Sequence, residues 1–311
     1  MRLRNPRRLI AGPWVNPGHE RPGRTTPRPG KPAQGNPDQA KPDQAKPPLG
    51  CITGATSGIG LGFARELARR GYRLLLCGRR REILETRARE LEGEFGTSVA
   101  LSLGDLTDPA YRRELIRTME ADLPSVLVLN AGFGTGSNFT QVPLEVHNTM
   151  LDLHSRVPME ICRALVPGMV ARGSGSIIAV SSLASISPMP GNGVYSGSKA
   201  FVNQFMRSLG MELWDQPVVV QSLLPGFTYT DFHSRMETWT MERKNRGLIR
   251  WQTPDQVAKT SLNAPKHRLQ VIPGWSNRLL FNLSRFIPQG IYHPLAARAT
   301  PDTSQAAHKR P

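Results

Sequence analysis

The chain has 311 residues, with 40 Lys and Arg against 24 Asp and Glu and a formal net charge of +16. Residues 49–297 number about 249, enough for one sizeable core, which excludes a small disulfide-stapled or metal-clipped fold. The charge is arginine-biased, 32 Arg to 8 Lys, and no recognition motif accompanies it, so a nucleic-acid partner is not expected.

In chain order, residues 1–48 come first. They hold 11 of the 27 prolines, ten Lys/Arg against three Asp/Glu, and the direct repeat Pro-Asp-Gln-Ala-Lys at 37–41 and 42–46. With scarcely an apolar cluster, this stretch cannot offset its ordering entropy and reads as a disordered, basic, proline-rich tail. Residues 1–30 have no apolar run of seven, against a secretory signal, and no 18-residue apolar stretch occurs, against a conventional spanning helix. Cys51, Cys77 and Cys162 lie in apolar segments without metal-site spacing. They read as buried free thiols of a reducing compartment, so a cytoplasmic location is expected and no metal is.

From Leu49 short apolar runs alternate with amphipathic segments. Strands are predicted at Leu49–Thr53, Arg73–Cys77, Ser98–Leu103, Val126–Leu129, Ser176–Val180, Val218–Leu223 and Leu269–Ile272, with helices over about 58–70, 80–92, 108–120, 143–172, 194–214 and 254–263. This alternation is the signature of βα units. The expected fold is α/β: a single doubly wound parallel sheet of six or seven strands with helices on both faces, over 49–274. Ligands of such sheets sit beyond the carboxyl ends of the strands, and the motifs fall there.

The first strand runs into Gly54-Ala55-Thr56-Ser57-Gly58-Ile59-Gly60 and then a helical pattern. Glycines at 54, 58 and 60 let the backbone turn tightly and approach a pyrophosphate, with Thr56, Ser57 and Ile59 beside it and free N–H groups at the helix start. The strand before and the helix after supply the context that makes this a dinucleotide-binding turn. The second strand ends at Gly78-Arg79, where an acid would grip the ribose hydroxyl of NAD. Arg79 is instead a planar donor suited to the 2′-phosphate of NADP. Tyr195 and Lys199, spaced i, i+4, share one helix face, where an ammonium favours the phenolate and lowers the tyrosine pKa. Ser182 ends the fifth strand and offers a hydroxyl to a carbonyl oxygen.

Together with Asp105, Asn130-Ala131-Gly132 and Pro225-Gly226-Phe227-Thr228-Tyr229-Thr230, these motifs resemble the short-chain dehydrogenase/reductase family in its NADP-preferring branch, over nearly all of 49–274. The resemblance implies a Rossmann-type fold, an NADP cofactor and a carbonyl or alcohol substrate. It implies that Tyr195 donates the proton, that Ser182 orients the carbonyl, and that Lys199 lowers the tyrosine pKa and holds the nicotinamide ribose. Asp105 and Leu106 then meet the adenine, Asn130, Ala131 and Gly132 flank the adenosine side, and Pro225, Gly226, Thr228 and Thr230 contact the nicotinamide or diphosphate.

Two positions depart from the family pattern. Leu129 replaces the first Asn of Asn-Asn-Ala-Gly, and His154 stands where the family has the Asn of its catalytic tetrad. A backbone or passive role for His154, an active imidazole, and a crippled enzyme all remain open, the last with a non-catalytic NADP-binding sensor or scaffold as the rival function.

Beyond Gly226, Phe227, Tyr229, Phe232, Met236, Trp239 and Met241 imply an apolar ketone or aldehyde. Arg235, Arg243, Lys244, Arg246 and Arg250 suit either an acidic carrier or a solvated rim. Residues 275–297 read as an amphipathic extension in which Trp275, Leu279, Leu283 and Phe286 recur at helical spacing. Packing over the cleft and peripheral membrane contact through 275–290 both fit it. Residues 298–311 read as a second disordered tail. The apolar stripe Phe201, Val202, Phe205, Met206, Leu209, Leu213 and Trp214 and the family resemblance lead to an expected homodimer or homotetramer.

Overall fold

The computed structural model of the protein describes residues 46–234, 245, 250–284 and 286–299. Seven parallel strands, β1 (Leu49–Thr53), β2 (Arg73–Gly78), β3 (Val99–Leu103), β4 (Val126–Leu129), β5 (Gly175–Val180), β6 (Val218–Leu223) and β7 (Gln270–Val271), lie in the order β3-β2-β1-β4-β5-β6-β7. This is the doubly wound sheet that the alternation predicts. Its order reverses between β1 and β4, whose register pairs Cys51 with Leu127. β1 and β4 are buried throughout, as strands covered by helices on both faces must be.

Two cores fill the two faces. On one, Leu115 and Met119 of α3 (Pro109–Ala121), Ile161 and Leu165 of α5 (Val157–Arg172) and Val202 and Met206 of α6 (Gly193–Glu212) meet Cys51, Leu127 and Ile177. On the other, Phe63 and Leu67 of α1 (Gly58–Arg69), Leu84 and Leu91 of α2 (Arg81–Phe95) and Val257 of α8 (Pro254–Leu262), which comes after the short α7 (Asp231–Ser234), cover Ile52, Leu76 and Val128. Helix starts carry their own chemistry. Asp108 caps α3 by accepting from Ala110 N–H with Pro109 behind it, and Thr253 and Gln256 form a reciprocal capping box on α8.

The single helix expected over 143–172 is interrupted: α4 (Leu144–Leu151) passes through a π-helical turn, Asp152–Arg156, before α5. Pro158 has no N–H to give the His154 carbonyl four residues earlier, and Val157 N–H reaches back five residues to the Asp152 carbonyl. His154 therefore sits at a programmed irregularity.

Of the expected N-terminal tail, residues 46–48 are described: Lys46 Nζ pairs with Asp122 at the end of α3 at 3.1 Å, and Arg73 at the start of β2 donates to the carbonyls of Pro47 and Pro48 at 2.9 and 3.1 Å. The rest of that tail lies outside the described residues. At the other end α9 (Trp275–Ser284) and α10 (Gln289–Ala299) are separate helices with Pro288 between them, and α10 continues past residue 297.

Candidate active site

At the end of β1, Thr53 Oγ1 accepts from the amides of Asn130 and Ala131 at 2.9 and 3.1 Å, and Asn130 Nδ2 donates to the carbonyls of Thr53 and Gly54, both at 3.1 Å. This lattice fixes the turn. Gly54 takes φ +68°, and a Cβ there would stand 2.9 Å from Ala131 Cα; at Gly60 a Cβ would stand 2.4 Å from Gly54 O. The backbone is held where no side chain fits. Ser57 gives α1 no side-chain cap, so the helix start faces a cleft of about 330 Å³ lined by Ser57, Gly58 and Ile59. An uncapped, dipole-favoured helix start beside a Cβ-free turn fits the pyrophosphate of a dinucleotide.

The far end of this cleft is cationic. Arg79 Nη1 lies 2.9 Å from Asp105 Oδ2, and Arg80 Nη2 donates to Thr56 Oγ1 at 2.6 Å. Burial works to raise the Asp105 carboxyl, but bonds from Thr107 and the Arg79 guanidinium outweigh it and hold the group below its ordinary value. Arg79 and Asp105, given separate partners by the sequence reading, are thus paired with each other. Arg80 and Thr107 were missed as lining residues; the signal for Arg80 was its place beside Arg79 at the end of β2.

The other end of the cleft is built by α6. Its first turns bring Tyr195 and Lys199 to the cleft beside Ser182, which follows β5 and accepts from Ala184 N–H at 3.1 Å. Lys199 is buried and donates from Nζ to the Val180 carbonyl at 2.8 Å, 5.9 Å from the Tyr195 ring centre. Burial lowers its pKa to about 8. Tyr195 keeps part of its surface open to the cleft, yet the surrounding protein pushes its phenol up to about 12, and the Ser182 hydroxyl only partly opposes that rise. The lowered phenol expected from the i, i+4 lysine is therefore not found. Lys199 turns its ammonium to a carbonyl instead, and desolvation of the phenol dominates.

His154 is buried behind this group. Its Nε2 accepts the Phe133 N–H at 3.1 Å, and its Nδ1 lies 2.9 Å from Ser198 Oγ, which in turn donates to the Tyr195 carbonyl at 2.8 Å. Burial, aided by the Lys199 charge, holds the imidazole well below its ordinary pKa, so it is neutral. A Cβ at Gly132 would stand 2.7 Å from Nε2, so the glycine admits the ring. Both ring nitrogens have protein partners, and Ser198, inside the Tyr195–Lys199 motif but unremarked there, is one of them. A void of about 10 Å³, roughly one water, lies between Lys199, His154, Pro158 and Leu129.

This cleft is lined by Gly54, Thr56, Ser57, Gly58, Ile59, Arg79, Asp105, Leu106, Asn130, Ala131, Gly132, Ser182, Tyr195, Lys199, Pro225, Gly226, Thr228 and Thr230. Gly60 and His154 stand just behind it. Thr228 turns its hydroxyl to the Gly226 carbonyl at 3.1 Å and is buried. Of the expected substrate wall, Phe232 faces Tyr195 with ring centres 5.5 Å apart, whereas Phe227 and Tyr229 lean on Trp251 at 5.3 and 5.2 Å. Met236, Trp239, Met241, Arg235, Arg243, Lys244 and Arg246 lie outside the described residues.

Residues 50–241 match the family model described as short chain dehydrogenase. The chain belongs to the short-chain dehydrogenase family. An uncharacterized oxidoreductase of Myxococcus xanthus is 33% identical over 233 residues, 68% of this chain and 92% of that one. The NADP-dependent 3-hydroxy acid dehydrogenase YdfG of Escherichia coli is 33% identical over 178 residues, 56% of this chain and 70% of that one. The very-long-chain 3-oxoacyl-CoA reductase of Anas platyrhynchos is 34% identical over 185 residues, 58% of this chain and 59% of that one. Among solved structures, a short-chain dehydrogenase from Sphingobium yanoikuyae in complex with NADPH superposes with a TM-score of 0.67 at 27% identity, covering 78% of this chain and 97% of that one. As a short-chain dehydrogenase the protein is an oxidoreductase acting on CH–OH donors and their carbonyl partners with a nicotinamide dinucleotide. No helix among the described residues is long and apolar enough to cross a membrane.

Proposed function

We propose that this protein is an NADPH-dependent reductase of an apolar, lipid-like ketone or aldehyde, and the oxidant of the matching alcohol in reverse, with Tyr195 as proton donor and acceptor. The observation that carries it is the convergence of Ser182, Tyr195 and Lys199 on the cleft that holds the uncapped start of α1. NADP over NAD is supported by the arginine pair at the far end, Arg79 and Arg80, where β2 lacks an acid. The NADP dependence of the Escherichia coli relative and the NADPH of the Sphingobium structure agree with it.

The cofactor, when bound, supplies the hydride. The protein does the rest. Backbone amides of Ser57–Ile59 hold the pyrophosphate, and the guanidinium groups of Arg79 and Arg80 hold the 2′-phosphate. Ser182 and Tyr195 hydroxyls hold the substrate oxygen, and Tyr195 Oη gives it the proton as negative charge develops there. Lys199, whose pKa of about 8 lies near neutrality, replenishes the tyrosine, and the small void that it shares with His154 has room for one relay water, with the His154 carbonyl as the next acceptor. Pro158 leaves that carbonyl without an α-helical donor, so the backbone of residue 154 serves the relay and its imidazole serves as a clamp. Phe232 supplies an apolar wall beside the reacting carbon.

The test is a panel of aldehydes, ketones and 3-oxoacyl thioesters offered to the purified full chain with NADPH, followed by loss of reduced-nicotinamide absorbance. Turnover should favour the apolar members and vanish in Tyr195→Phe. Tight NADPH binding with no turnover on any member would overturn the reading in favour of a sensor.

A further inference from the structure

The helices that follow the sheet turn several large apolar side chains to the outside. On α9 the polar Ser276 and Asn277 are buried, Asn277 Nδ2 donating to the Pro273 carbonyl at 2.9 Å and to Gln252 at 3.2 Å, with its amide packed against Gly226 of the cleft. Leu280 and Phe281 are half-buried, and the remaining apolar side chains face outward. Trp275, Leu279 and Leu283, spaced i, i+4, i+8, are exposed, Trp275 by 61%, and Phe286 just past the helix is 83% exposed. On α10, Ile291 and Leu295 repeat the pattern. The polar contacts of Asn277 hold the stripe outward, so it is not a packing face left short of a partner by a frayed helix.

The two helices carry charge of one sign. Neither α9 nor α10 nor the link between them holds an acidic residue. Arg278 and Arg298 are exposed on them. A second copy of the same face, seated about a two-fold axis, would offer Arg278 and Arg298 no carboxylate, only a patch of like charge. An anionic bilayer surface complements it: aromatic and aliphatic groups enter the headgroup boundary while arginines meet lipid phosphates.

We infer that α9 and α10 form a docking surface for an anionic lipid membrane. The surface adjoins the catalytic cleft. Tyr292 Oη donates to the Pro188 carbonyl at 2.8 Å, in the loop that follows Ser182, so the membrane-facing helix pair borders the side on which a substrate meets Ser182 and Tyr195. Docking would present the cleft mouth to the bilayer, which goes with an apolar substrate; the membrane contact itself does not depend on the reductase reading.

The experiment is sedimentation of the full chain with vesicles of phosphatidylcholine alone or mixed with phosphatidylglycerol, with tryptophan emission and its quenching by brominated acyl chains read in parallel. Wild-type protein should bind the anionic vesicles, with emission shifted to the blue and quenched. Leu279→Gln with Phe286→Gln, which leaves the charge unchanged and touches only exposed positions, should lower partitioning by roughly 10- to 100-fold. NADPH binding and thermal midpoint should not move. Absence of vesicle binding, binding that the double variant retains, or a double variant that instead dissociates an oligomer would each overturn the inference, the last by making the surface a self-interface.

Discussion

His154 Nδ1 and Ser198 Oγ are 2.9 Å apart, and this contact ties the π-helical turn to the first turns of α6. Because Phe133 N–H points at Nε2, that nitrogen is the acceptor and Nδ1 carries the hydrogen. Ser198 therefore accepts from His154 and passes its own hydrogen to the Tyr195 carbonyl. The ring is a neutral clamp between the Gly132–Phe133 turn and the tyrosine. His154→Phe leaves the Phe133 amide without an acceptor and the Ser198 hydroxyl with only its bond to the Tyr195 carbonyl, and should cut kcat by about 10- to 100-fold, each lost partner being worth roughly 1–3 kcal/mol. His154→Asn should recover much of it. Since burial keeps the wild-type imidazole neutral, the pH–rate profile should show no limb near 6–7; such a limb, absent from His154→Asn, would show that the imidazole itself shuttles the proton.

The Arg79–Asp105 pair sets a prediction on cofactor choice. Arg79→Asp removes a charge-assisted contact worth roughly 1.5–3 kcal/mol to the 2′-phosphate, about 10- to 150-fold in NADPH affinity, and places a second carboxylate beside Asp105. NADH, without that phosphate, should be far less affected. Arg80→Ala should weaken NADPH as well, by about tenfold, because Arg80 shares the rim through Thr56. Titration of both variants with both nucleotides decides it: equal losses for NADPH and NADH would show that neither arginine reads the phosphate.

These two contacts also mark what sequence alone conveys. The sheet was legible because strand and helix periods differ and because glycines 54, 58 and 60 fall between one strand and one helix, so even the side of the sheet that carries the cleft followed. The π-helical turn was hidden inside a continuous helical period; only Pro158, four residues beyond His154, signals the missing donor. The tyrosine pKa was misjudged because spacing places Lys199 near Tyr195 but does not say that Nζ turns to the Val180 carbonyl. Direction of a stripe was equally invisible: the period of Trp275, Leu279 and Leu283 is that of a buried face, yet these three are exposed while Ser276 and Asn277 are buried.

Lys199 should cost the protein stability where it serves it chemically. Burial depresses its pKa from 10.5 to about 8, so between those values the unfolded chain binds more protons than the folded one, and stability rises with pH across that window. Below about 8 the charged side chain must be held in the core. Lys199→Met removes that penalty but leaves the Val180 carbonyl without its donor, for a net gain on the order of 1–2 kcal/mol at pH 7, a shift of a few degrees in thermal midpoint. The gain should shrink as pH rises from about 8 to 10.5, while turnover is abolished at every pH. A midpoint that falls at pH 7 would show that the ammonium is a structural tie.

The remaining apolar surface predicts assembly through α4, α5 and α6. Val202 and Met206 are spent on the core, and Phe205, Leu209 and Leu213 lean on it, but Phe201, Met211 and Trp214 stay exposed, the last two by 58% and 57%. Leu151 and Met159 are exposed on either side of the π-helical turn, so both helical segments present large apolar groups on their outer sides. Phe201 stacks on Phe205, ring centres 6.0 Å apart and planes 11° from parallel, which holds the outer ring rigid. Two copies related by a two-fold axis would bury these groups against one another and pair the longest helices, the arrangement that oligomer symmetry makes self-complementary. A substitution at Phe205 would confound the test, since that ring also packs on the core; Phe201→Glu and Trp214→Glu alter only the outer surface. Sedimentation at micromolar concentration should give a dimer or tetramer for the wild type and a smaller species for the double variant, with its thermal midpoint nearly retained. A wild-type species near 34 kDa, the mass of one chain, would show that these side chains stay in water.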